Sequence, residues 1–163
     1  MHAGTRMTAT QRIHVTSPAF QEGASIPVRH TSDGDDVSPA LHWTDAPASA
    51  RSFAVVCEDP DAPSGLFVHW VAWGIPADRH DLAEGVAHTL DASGMRQGVN
   101  GFGTTGFAGP KPPPGKPHRY FFHVYALDDR PDLPVDAGRA ELVEAMRGHV
   151  LAEGALVGLY GRA

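Results

Sequence analysis

Apolar and polar positions alternate along much of this chain with the two-residue period of a half-buried β-strand. Ile13-His14-Val15 is a short instance, and Ile26, Val28 and His30 alternate around Pro27 and Arg29 as a second. Pro27 assigns that second strand to a sheet edge or a strand start, because proline cannot donate to the ladder. Leu41-His42-Trp43 opens a third strand after a polar turn from Ser32 to Pro39. Arg51 to Glu58 (RSFAVVCE) is almost continuously apolar and rich in strand formers, which predicts a strand covered on both faces. Val68 to Ile75 (VHWVAWGI) places His69, Val71, Trp73 and Ile75 on one face. His118 to Leu127 (HRYFFHVYAL) is the longest strand, with His118, Tyr120, Phe122 and Val124 on one side and Arg119, Phe121, His123 and Tyr125 on the other. The period changes once. Leu142, Val143, Met146, Val150 and Leu151 fall at helical spacing from Arg139 to Glu153, with Gly154 as the stop. Ala155 to Tyr160 follows as a closing strand.

Many strands with one late helix predict a mainly-β fold, a β-sandwich of two antiparallel sheets with a C-terminal helix. The 163 residues suffice for one domain with its own core. No repeat or linker divides them, so residues 1–12 are expected to be a flexible N-terminal extension and residues 13–163 a single domain. The 18 Gly and 14 Pro concentrate in turns and loops, which agrees with a β-rich fold. Two loops stand out. One is Asp59-Pro60-Asp61-Ala62-Pro63-Ser64-Gly65, and Ala62-Pro63 is its leading position for a cis peptide. The other runs from Gly98 to Pro117 and contains GFGTTGFAGPKPPPGKP. An aperiodic loop of about twenty residues in a compact domain is usually functional or disordered, and the functional reading is preferred.

Charge and cysteine content remove several classes. The formal net charge is −6, and Lys111, Lys116 and Arg119 are spaced rather than clustered, so nucleic acid is not an expected partner. Cys57 is the single cysteine, which excludes an intrachain disulfide and a Cys-based zinc site. No apolar stretch approaches the roughly 20 residues of a membrane span, and Met1 to Arg12 lacks the apolar segment of a signal peptide. The expectation is a cytoplasmic protein without stable membrane insertion.

The chemistry-bearing residues lie where strands meet the two loops. Asp59 and Asp61 follow one strand, His69 begins the next, and His118 and Tyr120 begin a third directly after the Gly/Pro loop. Loops at one end of a sandwich cluster in space, which would bring these groups together with loop N–H donors. Singly each has an ordinary role: Asp in Asp-Pro turns caps its own backbone, and His at a strand end is commonly a half-exposed sheet residue. Their conjunction points to a site.

The motifs DPDAP with VHW, and GFAGPKPPPG with HRY, resemble the two signature blocks of the phosphatidylethanolamine-binding (Raf kinase inhibitor-like) family in its bacterial and archaeal branch. SDGDDVSPALHW, GIPADRHDLAEGV and the helix before GLYGR are similar to further segments of that branch. The resemblance covers about Thr16 to the C-terminus. It implies a Greek-key β-sandwich with a C-terminal helix and a pocket for phosphate or a phosphorylated ligand. Carried over residue by residue, the pocket comprises Asp59, Asp61, His69, Gly109, Pro110, His118 and Tyr120, with no cofactor, no metal and no catalytic residue. Some members are known as kinase or protease inhibitors, and by analogy a homodimer is a further expectation. Ala40, Gly74, Phe107 and Ser64 depart from the pattern; Phe107 removes a hydroxyl from the loop and puts ligand selectivity in question.

An anion site has a physical basis here. Gly-rich loop N–H groups form nests of partial positive charge, and His69, His118 and Tyr120 add donors. The aspartates oppose an anion unless each accepts from a histidine and favours the imidazolium, or one meets the ammonium of a zwitterionic ligand; the first role is preferred. Two alternatives remain. Asp59, Asp61, His69 and His118 could hold a metal for hydrolysis, although no paired metal-ligand spacing or activated nucleophile supports this. The chain could instead be a protein-docking inhibitor with a vestigial pocket.

Overall fold

The computed structural model describes residues 11–92 and 94–163. Ten strands and one helix follow in chain order: β1 (Gln11–Arg12), β2 (His14–Thr16), β3 (Leu41–Thr44), β4 (Ser52–Asp59), β5 (Phe67–Pro76), β6 (Asp81–Leu82), β7 (Asp91–Ala92), β8 (Met95–Gln97), β9 (His118–Leu127), α1 (Arg139–Met146) and β10 (Val150–Tyr160). They form two sheets, one ordered β1-β10-β9-β4-β5-β8-β7 and the other β2-β3-β6. All pairings are antiparallel except β1 with β10. The mainly-β sandwich with a C-terminal helix is therefore as expected. Most of the anticipated N-terminal extension lies outside the described residues, and Gln11–Arg12 pair with Ala152 and Glu153.

The burial pattern follows from this layering. The small sheet covers one face of the large one, and their side chains interlock around Trp43, Phe53, Trp70, Phe122 and Leu156. On the opposite face, Ala54, Val56, Val71, Trp73 and Leu127 pack under Leu142 and Met146 of α1. β4 is central in the large sheet and buried on both faces, as its unbroken apolar run requires. Cys57 points into the inter-sheet core, and burial pushes its thiol pKa up, which keeps it an inert thiol.

Four local expectations are corrected. Val28–His30 is a 3-10 turn rather than a strand; Thr31 N–H closes it on Val28 O. The helix stops at Met146, not Glu153. Gly148 turns the chain at φ +81°, and Val150 and Leu151 enter β10 because their edge pairs with β9. Gly154 lies inside that strand, where its Cα meets the backbone carbonyl of Ile13 too closely for a Cβ. Ala62-Pro63 is trans, as are all peptide bonds among the described residues. The tight geometry falls to Gly65 instead, whose N–H donates to Ala62 O at 3.0 Å with φ +104°.

The fourth correction bears on the site. The regular alternation expected for β5 is broken twice. Cys57 pairs with Trp70 and Glu58 with Val68, so His69 is the additional residue of a β-bulge; a second shift lies between Phe53 and Val55, next to Gly74 at φ +70°. Val71 and Trp73 face the helix, whereas Trp70, Ala72 and Ile75 face the other sheet. His69 turns with the second group, its ring 5.3 Å from that of Tyr120. Bulges next to functional sites re-aim side chains in this way.

Candidate functional site

The loop from Gly98 to Pro117 is a fixed structure. It pairs with the edge of β5 beyond the short β8: Gly98 N–H donates to Val71 O, Gly101 N–H to Val68 O and Ala108 N–H to His69 O, at 2.7–2.9 Å. Buried Asn100 organises the turn between. Its Nδ2 donates to Thr104 Oγ1 and Gly106 O, and its Oδ1 accepts from Phe102 and Thr104 N–H. Further along, Arg162 donates to Pro112 O and Gly115 N–H to Arg162 O, while Arg162 also grips Asp33 and Ser32.

Between this loop, the Asp59–Gly65 loop and the starts of β5 and β9 lies a cavity of about 140 Å³. Asp59, His69, His118 and Tyr120 line it, together with Phe67, Phe102, Lys111 and Pro112. Thus four of the seven expected residues converge. The other three stand just behind or beside them. Asp61 accepts from Arg119 through its backbone N–H, Nε and Nη2, each at 2.9 Å, and lines the adjoining groove with Lys116 and Arg119. That pairing holds the Asp61 carboxyl down at about 2. Gly109 N–H donates to Asp36 at 2.7 Å and Pro110 O accepts from Ser32 N–H at 3.0 Å, so both anchor the loop to the turn after His30. A Cβ at Gly109 would come within 2.6 Å of Asp36 Oδ1, which explains the glycine.

The polar groups inside the cavity divide sharply into paired and unpaired atoms. Asp59 is buried; Oδ1 accepts Asp61 N–H at 2.7 Å and Oδ2 accepts Nδ1–H of His118 at 2.7 Å. His69 Nδ1 donates to Ala108 O at 2.6 Å. Both Nδ1 atoms face acceptors, so both carry the proton, and Nε2 of each ring is the atom left without a partner among the described residues. Burial lowers the pKa of His69, partly opposed by the Ala108 carbonyl and then by Asp59. The Tyr120 hydroxyl is buried and has no hydrogen-bond partner among the described residues; burial first, and Asp59 next, push its pKa well up. Such an orphaned hydroxyl costs about 1–3 kcal/mol unless a ligand or water meets it. The indoles of Trp43 and Trp73 are also unpaired, but neither lines this cavity.

Aromatic rings form the wall and rim. Phe67 lies 5.0 Å from His69 and 4.7 Å from Phe102, and Phe102 is 47% exposed at the mouth. Phe107, which lacks the hydroxyl of the family pattern, packs between Trp70 and Phe122 in the core and does not line the cavity. Phe67, Phe102, Lys111 and Asn100 escaped the sequence reading. Phe67 precedes His69 by two positions and was legible as a strand neighbour; the role of Asn100 needed the fold.

The architecture is a two-sheet β-sandwich with a small cavity between end loops, lined by two imidazoles, a buried carboxylate and aromatic rings. Comparison with known proteins gives the family. The sequence model described as "Phosphatidylethanolamine-binding protein" matches residues 16–161, and the chain belongs to that family. It is 46% identical to a UPF0098 protein of Methanothermobacter thermautotrophicus over 92% of this chain and 99% of the relative. It is 40% identical to UPF0098 protein YbhB of Escherichia coli over 86% and 95%. Among solved structures, the homologue CT736 of Chlamydia trachomatis superposes with a TM-score of 0.84 at 35% identity, covering 93% of this chain and 99% of that one. YbcL of E. coli, described as a member of the mammalian PEBP family, matches with the same TM-score at 32% identity and the same coverage.

Proposed function

We propose that this protein is a binding module for a small phosphate-type anion, held by side chains rather than by a loop nest. The observation that carries the reading is the set of unpaired polar groups among the residues of one small cavity: the two Nε2 atoms and the buried Tyr120 hydroxyl, with Lys111 in the same lining. Each can donate to an anion oxygen, the histidines when protonated. The Gly109 N–H is engaged by Asp36 and does not contribute. Asp59 acts through His118, holding the ring proton at Nδ1 and leaving Nε2 toward a ligand. A phosphate ester fits the same donors, including the phosphoethanolamine group for which the family is named.

On this reading no hydrolytic turnover is expected. Asp61 is turned to Arg119, and Cys57 is buried away from the cavity. Screening with phosphoester, ester and peptide substrates is expected to show nothing above background. Calorimetric titration with sulfate, whose charge is constant near neutrality, tests the binding. Affinity that drops in Tyr120→Phe and His118→Ala supports the site, and sulfate bound equally by all three proteins would sink it.

A further inference from the structure

The same geometry that orients His118 for an anion also makes it a nucleophile. We propose that His118 Nε2 accepts a phosphoryl group from a small acyl phosphate, giving a stoichiometric phosphohistidine in the cavity. The inference rests on the anion-binding reading of that cavity but goes beyond it, because it adds a covalent step.

Three observations carry it. First, Asp59 is 3% exposed and is itself fixed, with Oδ1 held by Asp61 N–H and Oδ2 facing Nδ1 of His118 at 2.7 Å. This locks the proton on Nδ1, so neutral His118 presents its lone pair at Nε2. A nucleophile oriented by a third group is the arrangement that covalent catalysis uses. Second, Nε2 has no partner among the described residues, and His118 lines a cavity of about 140 Å³ that admits a small phosphoryl group. Third, the groups needed to steady the oxygens of that phosphoryl group line the same space: Lys111, His69 and the unpaired Tyr120 hydroxyl.

The step balances without another reactant. The Nε2 lone pair forms the P–N bond as the P–O bond to the acyl group breaks. The carboxylate leaves with the bonding pair. The Nδ1 proton stays between His118 and Asp59, whose carboxylate offsets the positive charge that the phosphorylated ring acquires. His149 is the internal contrast. It makes the same contact with Asp128 at 2.7 Å, but its side chain is 43% exposed and lines none of this cavity.

The test uses the intact chain with acetyl phosphate as donor and sulfate as a competing anion. Phosphorylation is read residue by residue by mass spectrometry under conditions that preserve phosphohistidine. Expected is occupancy at His118 at least about ten-fold above that at exposed His14, His42 or half-exposed His149, since positioning concentrates donor at one ring. Sulfate should suppress it. Asp59→Asn, which removes the carboxylate that fixes the Nδ1 proton, should slow it by about ten-fold or more. A direct sulfate titration of the parent separates the two ideas. Sulfate binding with no phosphoryl group at His118, or with even labelling of all histidines, overturns the covalent step and leaves the binding reading intact. Neither binding nor labelling overturns both. Because the site-resolved ratio is measured in the parent, it decides the matter even if the Asp59 variant fails to fold.

Discussion

His69 and Ala108 are joined twice: Ala108 N–H donates to His69 O at 2.9 Å, and His69 Nδ1 donates to Ala108 O at 2.6 Å. The double clasp ties the bulge of β5 to the long loop and fixes which nitrogen of His69 is available. It also sets a pH dependence. Burial lowers the His69 pKa below the ordinary value of about 6.5. In the folded, anion-free protein the ring therefore binds fewer protons than in the unfolded chain. Stability should fall as pH drops from about 6.5 through the lowered folded value. Bound sulfate favours the imidazolium, so sulfate affinity should rise over that same descent. Calorimetry and thermal unfolding at a series of pH values check both signs. His69→Ala should reduce both, leaving in the affinity only the part that His118 supplies, and a pH dependence unchanged by that substitution would refute the role of His69.

Asp61 is expected to act on the site through the loop. Its carboxyl is held at about 2 by the Arg119 hydrogen bonds, so the brace is complete above the ordinary carboxylate value near 3.8 and fails as pH falls through about 2. A carboxyl NMR titration should place the midpoint near 2 in the parent and higher, part of the way to the ordinary value, in Arg119→Ala, which keeps the backbone N–H contact. Asp61→Ala should weaken sulfate binding by less than His118→Ala does. The reverse ranking would make Asp61 a direct contact.

Asn100 should matter for stability more than its loop position suggests. It is 4% exposed, and truncation leaves the Phe102 and Thr104 N–H groups and the Gly106 carbonyl without their partner. Asn100→Ala should cost about 2–3 kcal/mol. The midpoint and slope of urea unfolding would report it, and a change under about 0.5 kcal/mol would show that water replaces the side chain.

Gly109 offers a test of anchoring against contact. A methyl group there meets His30 O at 2.5 Å and Asp36 Oδ1 at 2.6 Å. Gly109→Ala should therefore destabilise by about 1–3 kcal/mol through overpacking and loosen the loop that carries Lys111. Asp36→Asn, which keeps the space but weakens the contact to Gly109 N–H, should show a smaller loss of stability. Equal, near-zero effects would mean that the loop is not anchored there.

The two-residue period carried the layout: β4, β5 and β9 were legible because long β-branched and aromatic runs have few other uses, and Asp59, His69, His118 and Tyr120 were found as strand ends beside odd loops. What escaped depends on contacts distant in sequence. The spacing of Val150 and Leu151 fits a helix face or a strand equally, and pairing with β9 decides it. A bulge adds one residue without marking the sequence, so the face that His69 takes was read wrongly from alternation alone. Asp61 beside Asp59 reads as a second site carboxylate until Arg119 is known to lie across from it.

One arrangement also sets an order of events during synthesis. Pro112, in the cavity lining, and Gly115, further along the same loop, are tied to Arg162, and Tyr160 and Arg162 both reach Asp33. β10 meanwhile fills the place between β1 and β9. Each of these ties waits for residues translated well after the rim itself, 50 positions later for the bond from Arg162 to Pro112. A nascent chain that has already released the Asp59, His69 and His118 segments still lacks the brace for its own rim. A product cut short before Arg162 would carry every pocket residue on an unfastened wall.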